Sequence, residues 1–190
     1  AKVLDDNGSG PMSAVIAGVE WAVEQGADVV NLSLGADDTP GTDPLEAALD
    51  RLTEEADTLF VVAAGNGWQE PSSVSSPATA DAALAVGAVD RDDTLAGFSL
   101  IGPRKGDYAI KPEITAPGVG IVASRASDSE PREPVGDHYA RMDGTSMASP
   151  HVAGAAALLR QQHPDWDADD VKARLMSTAT PGGDDSVYAQ

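Results

Sequence analysis

Cysteine is absent from the 190 residues, which excludes both a disulfide framework and a thiolate metal site. Aromatic residues are scarce, 4% against a hydrophobic share of 42%, so a core here has to be built from Ala, Val and Leu. Side chains that small let helices and strands lie close together. Basic residues are also few: 12 against 31 acidic ones give a formal net charge of -19. A field of that sign repels nucleic acid at steering distances and excludes nucleic-acid partners. It reads instead as a solvated acidic shell, or, more specifically, as a shell that encloses a cation site. No apolar run approaches the roughly 18 residues that span a bilayer, so no membrane partner is expected. The opening AKVLDDNG has neither the charged head nor the apolar middle of a signal peptide.

The length suits one domain with a sizeable core, and no linker, repeat or composition break divides residues 1–190. Lys2 to Leu4 reads as the tail of a strand with nothing before it, so the unit is expected to be truncated on its N-terminal side. Ser13 can cap a helix carrying Val15, Ile16, Val19 and Val23, with Gly26 placed to end it. ADVVNLSLG, residues 27–35, is an apolar run of strand length. Asp43, Pro44 and Glu46 then form a capping box with proline at the first helical position, ahead of a stripe of Leu45, Leu49 and Leu52. TLFVVAAGN (58–66) and ALAVGAVD (83–90) are further strands, IVASRA (121–126) a weaker one, and 71–77 and 127–134 are polar, proline-bearing loops. A helix is expected over 146–162, and a last one from Asp167 with Asp170 three residues on. Unbroken apolar strands alternating with helices predict an α/β fold of three αβα layers around a mostly parallel, doubly wound sheet. Ligands in such sheets lie beyond the carboxyl ends of the strands.

GTSMASPHVAGAAALL, residues 144–159, places Ser146 where that long helix begins. Unpaired N–H groups and the positive dipole end face whatever binds there, although a serine at such a point can also be a plain cap. Pro150 has no N–H to donate to the Ser146 carbonyl, so the first turn lacks a bond that an ordinary helix makes. That defect beside a serine points to function.

The run Gly144-Thr145-Ser146-Met147-Ala148-Ser149-Pro150-His151-Val152-Ala153-Gly154 resembles the nucleophile signature of the subtilisin-like serine proteases (subtilases, peptidase family S8). Ala63-Ala64-Gly65-Asn66 is similar to that family's oxyanion-hole segment, Asn31-Leu32-Ser33-Leu34-Gly35 to its substrate-binding strand, and Lys2 to Gly10 to the opposing strand. The resemblance implies the C-terminal part of a subtilisin-like catalytic domain and a serine-type endopeptidase. Ser146 would be its nucleophile, and Asn66 with the Ser146 N–H would hold the oxyanion. Gly8, Ser9, Gly10, Ser33, Leu34, Gly35, Ala64 and Gly65 would line the polypeptide substrate, pairing with its backbone. Leu4, Met12, Val15 and Leu34 would be candidates for an apolar subsite. It further implies secretion and a structural calcium ion. The residues commit to no metal ligand, Glu113 being either one ligand of a weak cation site or a solvated carboxylate.

No histidine precedes residue 138. His151 lies five residues after Ser146, about 140° round the helix, and cannot reach its hydroxyl, so it is expected to be a packing residue. His163, before Pro164, reads as a helix-end cap, and His138 as a loop residue. The family's aspartate and histidine thus have no counterpart, and Asp5 and Asp6 belong to the substrate-strand segment. The chain alone is expected to be nearly inactive, and the sheet edge left uncovered predicts self-association. A non-catalytic peptide-binding or assembly module would keep the same clasping segments. A nucleotide-binding domain lacks a G-x-G-x-x-G after a strand, and an α/β-hydrolase lacks a G-x-S-x-G elbow round Ser146.

Overall fold

Leu59–Ala63, the strand β2, is buried at every residue because it has neighbours on both edges and helices on both faces. In the computed structural model, which describes residues 1–41, 43–129 and 133–181, β1 (Val29–Leu32) and β3 (Leu84–Val89) flank it, and β4 (Ile114–Pro117) completes the order β1-β2-β3-β4. All three pairings are parallel, with Val61 opposite Asn31 and Leu84. The alternation of side chains along β2 divides the core. Phe60 and Val62 pack with Val15 and Val19 of α1 (Met12–Glu24) and with Leu45, Leu49 and Leu52 of α2 (Pro44–Ala56). Leu59 and Val61 pack with Ala148, Val152 and Ala156 of α3 (Thr145–Gln162) and with Val171 of α4 (Ala168–Thr178). These are the three layers and the parallel sheet that the alternation predicts.

Capping follows the sequence fully at α4, in its Asp43 half at α2, and departs from it at α1. The Asp43 carboxylate accepts from Leu45 and Glu46 N–H at the start of α2, and its other oxygen accepts from the Ser76 hydroxyl at 2.7 Å. The Glu46 half of the expected box is not made: its carboxylate accepts from Thr79 Oγ1 at 2.6 Å instead. Asp167 and Asp170 form a complete box at α4. At α1 the expectation for Ser13 is wrong. The helix begins at Met12 with Pro11 at the cap position, so Ser13 is already in the first turn and no side chain caps it. Gly26, at φ +76°, ends that helix as expected.

Two other expectations, for Lys2 to Leu4 and for Glu113, are corrected. Lys2 to Leu4 is not in a strand among the described residues. IVASRA does form a strand, β5 (Ile121–Ser124), as expected, and it lies in a separate antiparallel sheet, order β5-β7-β6, with β6 at Pro134–Val135 and β7 at Tyr139–Met142. Glu113 is neither solvated nor open to a metal, its side chain being 7% exposed. One of its oxygens accepts from Lys111 Nζ at 2.7 Å and Lys172 Nζ at 3.1 Å, the other from Ala85 N–H at 2.8 Å. Two ammonium groups already occupy its charged face, so the residue does not fit calcium. No group of three or more metal-ligating side chains occurs among the described residues, and no described helix is long and apolar enough to cross a membrane.

Candidate active site

Ser146 is the second residue of α3, half-buried, beyond the carboxyl ends of β1 and β2. The glycine before the helix leaves its N-terminus without a side-chain cap. The first N–H, that of Thr145, is taken by Asn66 Oδ1 at 2.8 Å. Asn66 follows β2 by three residues and is itself exposed. A donor on Oδ1 fixes which way the amide faces, because only the oxygen can accept. Asn66 Nδ2 is therefore directed away from Thr145, and no hydrogen bond among the described residues uses it or the Ser146 N–H. Two unoccupied donors at the positive end of an 18-residue helix form a site for developing negative charge.

Thr145 ties the two segments together. Its side chain is fully buried, its Oγ1 accepts from Gly65 N–H at 3.1 Å, and the hydroxyl lies 3.2 Å from Asn66 Oδ1. Gly65 adopts φ +106°, and a side chain there would meet Ser75 Oγ at 2.5 Å and Leu100 at 2.7 Å. Thr145→Val keeps the shape and deletes the acceptor, leaving the Gly65 N–H without its partner. It is expected to cost about 1–3 kcal/mol of folding stability, read by urea unfolding of the variant beside the parent protein.

The carbonyl that Pro150 leaves without a helical donor is not orphaned. Ser33 Oγ donates to Ser146 O at 2.8 Å, across 113 residues of sequence, while the Ser146 hydroxyl faces Ser33 O at 3.4 Å. Ser33 Oγ accepts from Asn31 Nδ2 at 3.0 Å, and Asn31 Oδ1 accepts from the fully buried Ser149 hydroxyl at 2.7 Å.

A cavity of about 300 Å³ opens beside Ser146, with Leu34, Gly35, Gly65, Asn66 and Leu100 in its walls. Thus Ser33, Leu34, Gly35, Gly65, Asn66 and Ser146 come together. Ala64 does not line the cavity: it is fully buried, its N–H bonded to Val86 O and its carbonyl to Ser75 N. Gly8, Ser9 and Gly10 lie outside it too, in an exposed turn closed by Asp5, whose side chain accepts from Asn7 and Ser9 N–H. Those two bonds hold the Asp5 carboxyl below its ordinary range. The glycines at 10 and 35 are needed by the chain itself, since a side chain would strike Val3 O and Ser75 Oγ respectively. Val15 is buried, and Leu4 and Leu34 pack against the α1–α2 core, whereas Met12 is exposed.

None of the three histidines hydrogen-bonds to Ser146. His151 is exposed and not a packing residue, its Nδ1 being 2.8 Å from Met147 O. His163 caps the end of α3 and stacks on Trp166, ring centroids 3.9 Å apart. His138 lies between β6 and β7, with its carbonyl bonded to Arg125 N–H. The signal for the Ser33 contact was present in the sequence as Pro150; nothing local pointed to Asn31 or Ser149.

The peptidase S8 model, described as the subtilase family, matches residues 1–189. Subtilisin DY of Bacillus licheniformis is 40% identical over 191 aligned positions, covering 100% of this chain and 63% of its own length. Subtilisin Savinase of Lederbergia lenta is 39% identical over 187 positions, covering 98% and 62%. Among solved structures, the prenylagaramide maturation protease PagA superposes with a TM-score of 0.74 at 29% identity, over 95% of this chain and 64% of that one. A cold adapted subtilisin-like serine proteinase gives 0.67 at 30%, over 92% and 57%. The chain thus spans less than two thirds of the length of these relatives.

Proposed function

The chain belongs to the subtilase family, and from that premise we propose that it carries the nucleophile and oxyanion site of a secreted serine endopeptidase. The observation that supports this reading best is the Thr145–Asn66 bond. It turns the Asn66 amide donor away from Thr145, and the Ser146 N–H next along the helix has no partner among the described residues. Ser146 Oγ would add to a peptide carbonyl, and the two donors would take the oxyanion with no reorganisation. Collapse would break the C–N bond, releasing the amine with a proton and leaving an acyl-enzyme that water hydrolyses. The substrate would enter along Ser33 to Gly35, with its side chain in the cavity bounded by Leu34 and Leu100. Gly8 to Gly10 would supply the opposing strand.

Deprotonating Ser146 needs a base, and none is within hydrogen-bond reach of it among the described residues. The aspartate and histidine of the family would come from polypeptide preceding Ala1, and the 190 residues alone would be nearly inert. β1 has one free edge in the described sheet, which supports pairing there with another strand, or with a second copy when that strand is missing. The test is reaction with a fluorophosphonate followed by mass-spectrometric mapping. Ser146 should be modified in the longer polypeptide that supplies an aspartate and a histidine (the assembled enzyme), and at least ~10³-fold more slowly in the chain alone. Absence of the Ser146 adduct from the assembled protein would leave only a peptide-binding module.

A further inference from the structure

We propose that Asn31 is a positioning residue for the nucleophile, acting through the Ser33 hydroxyl to replace the helix bond that Pro150 removes. The inference deepens the endopeptidase reading and rests on it. Ser146 O has no N–H four residues on, because residue 150 is proline, and the group that reaches it is Ser33 Oγ at 2.8 Å. A hydroxyl has one hydrogen. If Ser33 gives it to Ser146, then the contact between Ser33 Oγ and Asn31 must be a donation from the Asn31 amide nitrogen. The amide oxygen of Asn31 is then turned to Ser149, whose hydroxyl donates to it at 2.7 Å. Val61 O, at 3.3 Å, is the more distant alternative for that hydrogen.

All three bonds therefore run one way, Ser149 to Asn31 to Ser33 to the Ser146 carbonyl, and each polarises the next. Ser149 lies one turn along α3 from Ser146 on the buried side, so the relay leaves the helix at residue 149, crosses β1 and returns at residue 146. It closes a ring around the turn that the proline weakens. What it fixes is the Ser146 peptide itself, and with it the direction of both the Ser146 side chain and its N–H. A displacement of a fraction of an ångström at those atoms slows attack without weakening substrate binding.

Asn31→Asp tests the direction of the relay without changing its shape. A carboxylate still accepts from Ser149 but cannot donate, so Ser33 turns its hydrogen to residue 31 and Ser146 O loses its donor. Pro150→Ala supplies the missing N–H from the helix and makes the relay redundant. In the assembled enzyme, Asn31→Asp is expected to slow fluorophosphonate labelling of Ser146 and kcat on a peptide by about tenfold, with KM unchanged. The rate of Pro150→Ala itself serves as the reference for its background, and relative to it Asn31→Asp should cost less than about twofold. If Asn31→Asp does not fold, as judged by circular dichroism, Ser149→Ala enters the same cycle with a smaller loss and the same rescue. An undiminished rate in both relay variants, or an equal loss with and without Pro150→Ala, overturns the proposal while leaving the endopeptidase reading in place. A parent enzyme that fails to label at Ser146 overturns both.

Discussion

Asn66→Ala in the assembled enzyme is expected to lower kcat by about 10²–10³ with little change in KM, a size taken over from the corresponding amide of a subtilisin. The reason is differential: Nδ2 has no partner among the described residues, and its bond to the substrate oxygen would strengthen as that oxygen becomes an oxyanion. Truncation also deprives the Thr145 N–H of its acceptor at the start of α3. Asn66→Asp separates the two effects. It keeps an acceptor for Thr145 and replaces the outward donor by a carboxylate oxygen, which repels the developing charge. Steady-state kinetics on a peptide substrate should therefore show Asn66→Asp at least as slow as Asn66→Ala, with both variants as stable as the parent to within about 2 kcal/mol. A rate loss confined to Asn66→Ala would mean that the amide matters for holding α3 and not for the oxyanion.

Glu113→Gln is expected to destabilise the fold by about 3–5 kcal/mol at pH 7, the cost of leaving buried charge without its counterion. Glu113 is the one carboxylate between Lys111 and Lys172, and those ammonium groups share Ala83 O as well, at 2.8 Å each. Lys111 also donates to Ala80 O at 2.7 Å, and its side chain is 3% exposed. A glutamine removes the charge and must present its NH2 either to the Ala85 N–H or to the lysines, all of them donors. The cluster also sets a pH dependence in the parent protein. Burial pushes the Lys111 ammonium down to about 8, against the pull of Glu113, from an ordinary value of 10.5 in the unfolded chain. Between those values the unfolded state holds the extra proton, so the contribution of Lys111 to stability rises from pH 8 to pH 10.5. Urea midpoints across that range should climb for the parent relative to Lys111→Met, which has no proton to lose.

Much of this architecture is legible from periodicity and caps. The strands at 59–63 and 84–89 lie inside uninterrupted apolar runs, the one at 29–32 in a run broken by Asn31, and the α2 and α4 caps follow from aspartates at fixed offsets. β4 escapes that reading because Ile114–Pro117 is four residues long, ends on a proline and follows a lysine, a proline and a glutamate. It is a strand because β3 pairs with it, which no local pattern announces. Glu113 misleads for the same reason: a carboxylate in a polar-looking stretch is taken inside by two lysines, one of them 59 residues away in α4. At the site, Ser146 and Asn66 are recognisable from their segments. The relay through Asn31 and Ser149 joins residues 118 apart and is visible only once α3 is laid across β1. Even so, Pro150 states in the sequence that the Ser146 carbonyl needs a donor from elsewhere.

A crystal structure of the assembled enzyme treated with a peptidyl phosphonate would display the nucleophile and the oxyanion site together, because the phosphonyl oxygen stands in for the oxyanion. A covalent bond from Ser146 Oγ to phosphorus is expected, with that oxygen about 2.7–3.1 Å from both Asn66 Nδ2 and the Ser146 N. Phosphorus on another residue, or an oxygen turned to solvent with Asn66 Nδ2 out of hydrogen-bond range, would contradict it.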